Sequence, residues 1–186
     1  MIYAERIRLR AVERDDIPRF VEWLNDPDVT AGLAMHLPMS TWDETRWFEN
    51  LSNRAVEERP LAIEARSSEG GWKHIGSVGL EAIEWLNRSA SFGIFIGDKS
   101  VWDQGYGTEA TRLMLKHGFE TLNLNRIFLH VYETNPRAIR AYEKAGFVRE
   151  GLQRQAIYRN GSYFNVLLMS ILRSGWDAVK EKQAKS

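Results

Sequence analysis

The chain contains no cysteine and no long apolar run, and each absence excludes a class of protein. Without cysteine there is no disulfide framework, no zinc–thiolate site and no thiol nucleophile. No stretch approaches the length of a membrane-spanning helix, and the charged N-terminal segment MIYAERIRLR lacks the apolar centre of a secretion signal. We therefore expect a cytoplasmic protein with no membrane partner.

An excess of either charge is also missing. Lys and Arg together number 25, as do Asp and Glu, so no overall basic field favours a nucleic-acid partner. The histidines have no ligand spacing with one another or with carboxylates, so no metal site is predicted. They are His36, His74, His117 and His130. The length of 186 residues predicts one domain, residues 1–176, followed by a frayed or disordered tail at 177–186.

Hydrophobic periodicity predicts strands that alternate with helices. A capping box at Thr41 and Glu44 predicts the start of one early helix. Turns at 67–71 and at Asn160–Gly161 predict antiparallel hairpins. Between them, a strand–helix–strand pattern at 91–132 implies one parallel pair of strands.

The most informative stretch is WDQGYGTEA, residues 102–110, which lies between a strand pattern and a helical one. Gly105 and Gly107 allow the backbone to approach a ligand closely, and the helix behind them presents unpaired N–H groups to an anion. A P-loop is excluded because no Gly-Lys-Ser/Thr follows. With Ala110 the stretch also satisfies a dinucleotide fingerprint, although eight residues, 97–104, separate it from its strand. That alternative and a plain tight turn stay open.

A second motif, NPRAIRAYEKAGF at 135–147, predicts a short helix. Asn135 suits its cap, Pro136 its first position and Gly146 a left-handed end. The two motifs, in this order and spacing, resemble the GNAT superfamily of acyl-CoA-dependent N-acetyltransferases. Together with IRLRAVERDD, WLNDPDV and YRNGSYFNVLLMSIL, they are similar to the branch that contains ribosomal-protein alanine N-acetyltransferases and spermidine acetyltransferases.

This resemblance implies a fold and an activity. The fold is an α/β domain with a mixed, mostly antiparallel central sheet of about seven strands, helices on both faces, and a splayed parallel pair that holds acetyl-CoA. The activity is transfer of the acetyl group to a primary amine by direct attack in a ternary complex, in a monomer or homodimer. A protein N-terminus is the favoured acceptor. A polyamine or other small amine is the alternative, and a non-catalytic CoA-binding module is a further one.

The resemblance also implies which residues bind the coenzyme. Backbone amides of the glycine loop bind the pyrophosphate, the preceding strand binds the pantetheine arm, and two residues of the second motif contact the coenzyme. The residues are Ile94, Phe95, Ile96, Gln104, Gly105, Tyr106, Gly107, Thr108, Asn135 and Arg140. Arg137 and Lys144 are weaker phosphate candidates. Many family loops begin with Gln or Arg where this chain has Trp102, which leaves more of the binding to backbone amides.

The catalytic roles follow in part. Tyr142 matches the family's tyrosine that lies by the thioester sulfur and protonates the leaving thiolate. The general base stays open: Glu81 and Glu84 are candidates because their strand is expected to face the acceptor. His130 is another, with a partly buried, hydrogen-bonded histidine as the competing interpretation. Glu109 in the first helical turn is predicted to complement the helix dipole.

Overall fold

A computed structural model describes residues 1–67 and 70–184, with side chains to residue 181. The strands in this part of the chain are β1 (Ile2–Tyr3), β2 (Ile7–Ala11), β3 (Leu61–Arg66), β4 (Trp72–Glu84), β5 (Ser89–Ile96), β6 (Arg126–Tyr132), β7 (Val148–Arg159) and β8 (Ser162–Leu172). The α-helices are α1 (Ile17–Leu24), α2 (Pro27–Thr30), α3 (Thr41–Asn50), α4 (Tyr106–Lys116), α5 (Pro136–Ala145) and α6 (Arg173–Ala184).

All the strands form one sheet in the order β1-β2-β3-β4-β5-β6-β8-β7. Neighbouring strands are antiparallel except β5 and β6, which α4 connects because parallel strands need a crossover. The predicted mixed α/β architecture is confirmed. The sheet has eight strands instead of about seven, because the two-residue strand β1 is too short for periodicity to reveal.

Helices cover both faces of this sheet. Successive residues of a strand face opposite sides, and on β3 the adjacent Ala62 and Ile63 belong to different hydrophobic cores. The core that contains Ile63 packs against α4 through Leu113, whereas the core that contains Ala62 packs against α1 through Phe20 and Trp23. The two cores therefore hold α1 and α4 on opposite faces of the sheet.

The cap of helix α3 lies one residue before the predicted capping box. Ser40 is its cap: Ser40 Oγ accepts from Asp43 N at 3.1 Å, and Asp43 Oδ2 accepts from Ser40 N at 3.3 Å. The predicted box at Thr41 and Glu44 is therefore wrong by one residue. The segment STWDE contains two overlapping hydroxyl-x-x-acid patterns, and Glu44 is used for packing, since its side chain is buried.

A buried ion-pair network joins β2 to the start of α1. Arg10 Nη1 and Nη2 each donate to Asp16 at 2.7 Å, and His74 Nδ1 lies 3.0 Å from Asp16 Oδ1. Burial alone would raise the pKa of Asp16, but the contacts with Arg10 and His74 outweigh it and hold that pKa well below its usual range. This network anchors α1 against the sheet.

The C-terminal segment continues as helix past residue 176. In α6, Trp176 stacks on Phe119 with ring centroids 6.0 Å apart, and Lys180 Nζ donates to Glu120 at 2.6 Å. These contacts give a helical start to the predicted tail at 177–186. Residues 68 and 69 of the predicted turn, and 185 and 186 of the tail, lie outside the described residues. No helix in the described part of the chain is long and apolar enough to cross a membrane.

Candidate active site

The site is built on the divergence of the two parallel strands. In the described chain, β5 pairs with β6 from Ser89 to Ser91 only. From Phe92 to Ile96, β5 keeps its pairing with β4, whereas β6 stays paired with β8 as far as Tyr132. The carboxyl ends of the two strands therefore separate and border a cleft of about 490 Å³.

One end of this cleft is the N-terminus of α4. Gly105 is the cap residue and has a φ of 85°, which glycine adopts without strain. The first intrahelical hydrogen bond runs from Glu109 N to Gly105 O at 3.0 Å. The N–H groups of Tyr106, Gly107 and Thr108 come before it and have no intrahelical acceptor. All three residues line the cleft, and free N–H groups at a helix N-terminus suit an anion. Anion binding by these groups stays a prediction.

Arg6, between β1 and β2, holds the glycine loop from outside. Its Nε donates to Glu109 Oε2 at 2.8 Å and its Nη1 donates to Gln104 O at 3.1 Å. Its guanidinium also lies 4.6 Å from the ring centroid of Tyr106. Gln104 is part of this support: its Nε2 donates to Ser100 O at 2.9 Å, and it does not line the cleft. No local signal in the sequence indicated Arg6, because its partners are about 100 residues away.

Three cations on one face of α5 line the cleft, namely Arg137, Arg140 and Lys144. The guanidinium of Arg137 lies 3.7 Å from the ring centroid of Trp102, so this pair spans from α5 to the glycine loop. Trp102 Nε1 donates to Ile96 O at 2.9 Å, which fixes the indole. At the start of the glycine loop this chain thus has an aromatic surface, and positive charge comes from α5.

Asn135 lies where α5 meets the opposite wall. Its Oδ1 accepts from Ala138 N at 3.1 Å, and the predicted cap, the first-position Pro136 and the left-handed Gly146 (φ 108°) are confirmed. The residue lines the cleft, and a Cβ added at Gly32 would lie 2.4 Å from Asn135 Nδ2. The loop after α2 therefore reaches across to α5. Contact of Asn135 with a coenzyme stays a prediction.

Tyr142 lies deep in the same cleft. Its ring packs edge-on against Phe92, with centroids 6.1 Å apart, and lies tilted against Phe147, with centroids 5.8 Å apart. Tyr142 is 9% exposed, and its hydroxyl makes no hydrogen bond with the described residues. Burial raises the pKa of Tyr142 to about 12, so the hydroxyl is protonated at neutral pH and available as a donor.

Glu81 and Glu84, the two carboxylates predicted as candidate bases, lie outside the cleft. Glu84 pairs with Ser89, at the end of β5 where the parallel strands are still joined, and Glu81 lies on the same stretch of β4. The side chain of Glu81 is exposed and 3.5 Å from Arg54, and Glu84 accepts from Asn87 at 2.7 Å. Neither lines the cleft, so the structure gives no support to a base role for them. The alternation of polar and apolar residues predicts the strand that carries Glu81 and Glu84, but it does not show at which end of that strand the cleft opens.

His130 on β6 does line the cleft. Its side chain is exposed and packs edge-on against Phe128 at 6.0 Å, so the partly buried, hydrogen-bonded interpretation does not describe it. Among the described residues, His130 is the histidine that lines the cleft. No group of three or more His, Asp or Glu side chains among those residues is arranged to hold a metal ion.

Known proteins match this chain over most of its length. It is 35% identical over 174 residues to spermidine N(1)-acetyltransferase of Vibrio cholerae serotype O1 (strain ATCC 39315 / El Tor Inaba N16961), over 91% of this chain and 94% of that protein. It is 29% identical to spermidine N(1)-acetyltransferase of Escherichia coli (strain K12), over 91% and 88%.

The same similarity holds in three dimensions. The crystal structure of spermidine N-acetyltransferase from Vibrio cholerae in complex with CoA and spermine superposes with a TM-score of 0.80 and 31% identity, over 92% of this chain and 98% of that one. Residues 6–148 match the model of the acetyltransferase (GNAT) domain. This match extends from Arg6, which supports the glycine loop, past α5. The chain belongs to the GNAT acetyltransferase family.

Proposed function

We propose that this enzyme transfers the acetyl group of acetyl-CoA to a primary amine of a small polyamine such as spermidine. The observation that carries the choice of acceptor is the similarity to spermidine N-acetyltransferases over nine-tenths of the chain. The resemblance of the sequence motifs favours a protein N-terminus as acceptor, with a polyamine as the alternative. The relatives support the alternative.

The shape of the acceptor side favours a small amine as well. A protein N-terminus must enter as extended backbone, which needs an open groove. Here the loop after α2 lines the cleft through Gly32, Leu33 and Ala34 and touches Asn135 on the opposite wall. A slender aliphatic amine can pass such a loop more easily than a peptide.

The donor side fits coenzyme A. The N–H groups of Tyr106, Gly107 and Thr108 would receive the pyrophosphate, with the α4 dipole behind them. Arg140 and Lys144 would add positive charge for the remaining phosphate. The backbone of Ile94–Ile96, which has no partner on β6, would receive the pantetheine arm.

The reaction then needs a nucleophile, a proton donor for the leaving sulfur and an acceptor for the proton on the attacking nitrogen. The neutral amine attacks the thioester carbonyl, so a C–N bond forms and the C–S bond breaks. Tyr142, protonated and lacking another partner among the described residues, donates its proton to the departing sulfur. The nitrogen becomes positively charged when it attacks and then releases one proton into the cleft, where His130 is the side chain that the geometry favours as its acceptor. Solvent returns a proton to Tyr142, so the proton balance closes.

A thiol-release assay with acetyl-CoA tests this proposal. The panel is spermidine, spermine, peptides with Ala or Ser at the N-terminus, and an aminoglycoside, with products checked by mass spectrometry. We expect kcat/KM for spermidine to exceed that of the peptides by about tenfold or more, because kcat/KM reports transition-state binding. A preference for peptides would contradict the polyamine proposal and support a protein N-terminus as the acceptor. Coenzyme binding without turnover of any amine would indicate a binding module.

A further inference from the structure

The wall on the acceptor side of the cleft is formed by a segment without regular structure. We define the acceptor loop as residues 31–38, between α2 and the cap of α3. It contains no helix or strand, and none of its side chains is fully buried. A segment of this kind has little hydrophobic packing to hold it in one position. Its position must therefore come from polar contacts.

Those contacts come from Arg159, about 125 residues away along the chain. Its Nη1 donates to Thr30 O at 2.9 Å and to Ala31 O, and its Nη2 donates to Leu33 O at 2.7 Å and to Met35 O at 3.0 Å. Among the described residues, no other side chain donates a hydrogen bond to residues 31–38. The next residue, Met39, is bound by Asn25, whose Nδ2 donates to Met39 O at 2.7 Å and whose Oδ1 accepts from Met39 N at 2.9 Å. One guanidinium thus binds four carbonyls of the loop and the helix end before it.

Arg159 has the geometry and the charge for this task. It is the last residue of β7, and the Asn160–Gly161 turn, with φ values of 49° and 81°, fixes its pairing with Ser162. The planar fork of arginine can address several carbonyls at once, which a lysine ammonium cannot do in the same arrangement. No carboxylate among the described residues forms an ion pair with it. Its guanidinium lies 5.9 Å from the ring centroid of Tyr132, which lines the cleft.

We propose that Arg159 is the positioning residue of the acceptor site. By binding the four carbonyls it holds Leu33 and Ala34 in the cleft wall and keeps Gly32 against Asn135. It does not line the cleft and does not touch the reacting atoms; it sets the wall against which the amine is held. The inference rests on the proposed function only for the identity of the amine.

Two substitutions separate the roles of the guanidinium. Arg159→Met keeps the aliphatic stem and removes every donor. Arg159→Lys keeps the positive charge but has fewer hydrogen-bond donors. Arg154→Met is the matched control, because Arg154 is an exposed arginine of the same strand and does not line this cleft. We expect Arg159→Met to raise the KM for spermidine about tenfold to a hundredfold, since small misplacements at a site cost this much.

The same variants should leave the donor side intact. The KM for acetyl-CoA should stay within about twofold in Arg159→Met, because Arg159 does not bind the glycine loop or the cations of α5, and Asn135 keeps its hydrogen bond with Ala138 N. Arg159→Lys should recover part of the loss, and Arg154→Met should behave as the parent chain. A spermidine KM that stays within about twofold in Arg159→Met would overturn the inference.

A second measurement does not depend on the amine. Because the chain has no cysteine, Leu37→Cys, at a position that is 79% exposed, gives a unique nitroxide label on the acceptor loop. We expect a more mobile label when Arg159→Met is added, and equal mobility would contradict the inference. If the parent acetylates another amine and not spermidine, the proposed acceptor fails and the KM comparison is made with that amine. If it acetylates none, label mobility decides.

Discussion

Replacing Tyr142 by phenylalanine separates chemistry from packing at one position. The ring keeps its contacts with Phe92 and Phe147, and the lost hydroxyl has no hydrogen-bond partner among the described residues. A buried polar group without a partner costs about 1–3 kcal/mol, so the free energy of unfolding should stay equal or rise by no more than this. If the hydroxyl protonates the leaving sulfur, kcat should fall by about 10²–10⁴.

The assay is thiol release at saturating amine and acetyl-CoA, with urea unfolding measured on the same samples. Tyr163→Phe is the control, because that tyrosine is 63% exposed. Since burial raises the pKa of Tyr142 to about 12, its ionisation should cause no loss of kcat between about pH 7 and pH 10. A value of kcat within about threefold of the parent in Tyr142→Phe would refute the role of general acid.

Three further predictions test other parts of the structure. Arg140→Ala should raise the KM for acetyl-CoA about tenfold in steady-state kinetics, by loss of a charged contact with phosphate; an unchanged KM would remove it from the site. Gly97→Ala should cost about 1–3 kcal/mol in urea unfolding, because its Cβ would lie 2.0 Å from Trp23. Gly151→Ala, with nothing within 4 Å, should change little. Folding lowers the pKa of the Asp16 carboxyl, so the ionised carboxylate stabilises the folded protein. This contribution is complete above the unfolded pKa of about 3.9 and is lost progressively as the pH falls below that value. Asp16→Asn should flatten that pH dependence of the unfolding midpoint; an unchanged slope would contradict it.

The donor side could be predicted because its signals are local. Gly105 has a positive φ, and the helix that follows within one residue presents the free N–H groups that are predicted to bind an anion. Asn135, Pro136 and Gly146 define α5 within twelve residues of sequence. Each of these features depends on neighbours along the chain, so residue identity and spacing suffice to reveal it.

The cleft itself could not be predicted in this way. The divergence of β5 and β6 after Ser91 is a property of pairing between strands that a whole helix separates. Periodicity shows that Glu81 and Glu84 belong to a strand, but not that this stretch faces the joined end of β5. The same limit applies to Arg6, whose bond to Glu109 crosses 103 residues of sequence.

The distribution of charge sets what the acceptor site can recognise. Asp103 is the one acidic residue that the described chain places in the cleft lining, and its carboxylate is 4.0 Å from Arg137. Nearby, Glu133 is already engaged, since it accepts from Asn165 N at 2.8 Å and from Asn165 Nδ2 at 2.9 Å.

Among the described residues, the cleft lining thus offers a single carboxylate, and no cluster of carboxylates, for the ammonium groups of a polyamine. The lining also includes the ring of Tyr132, which lies 5.9 Å from the Arg159 guanidinium, and the acceptor loop that we propose Arg159 positions. Recognition by shape and ring faces selects a slender amine without requiring a fixed number of positive charges. The position of the acceptor loop, more than any carboxylate, would then decide which amine reaches the thioester.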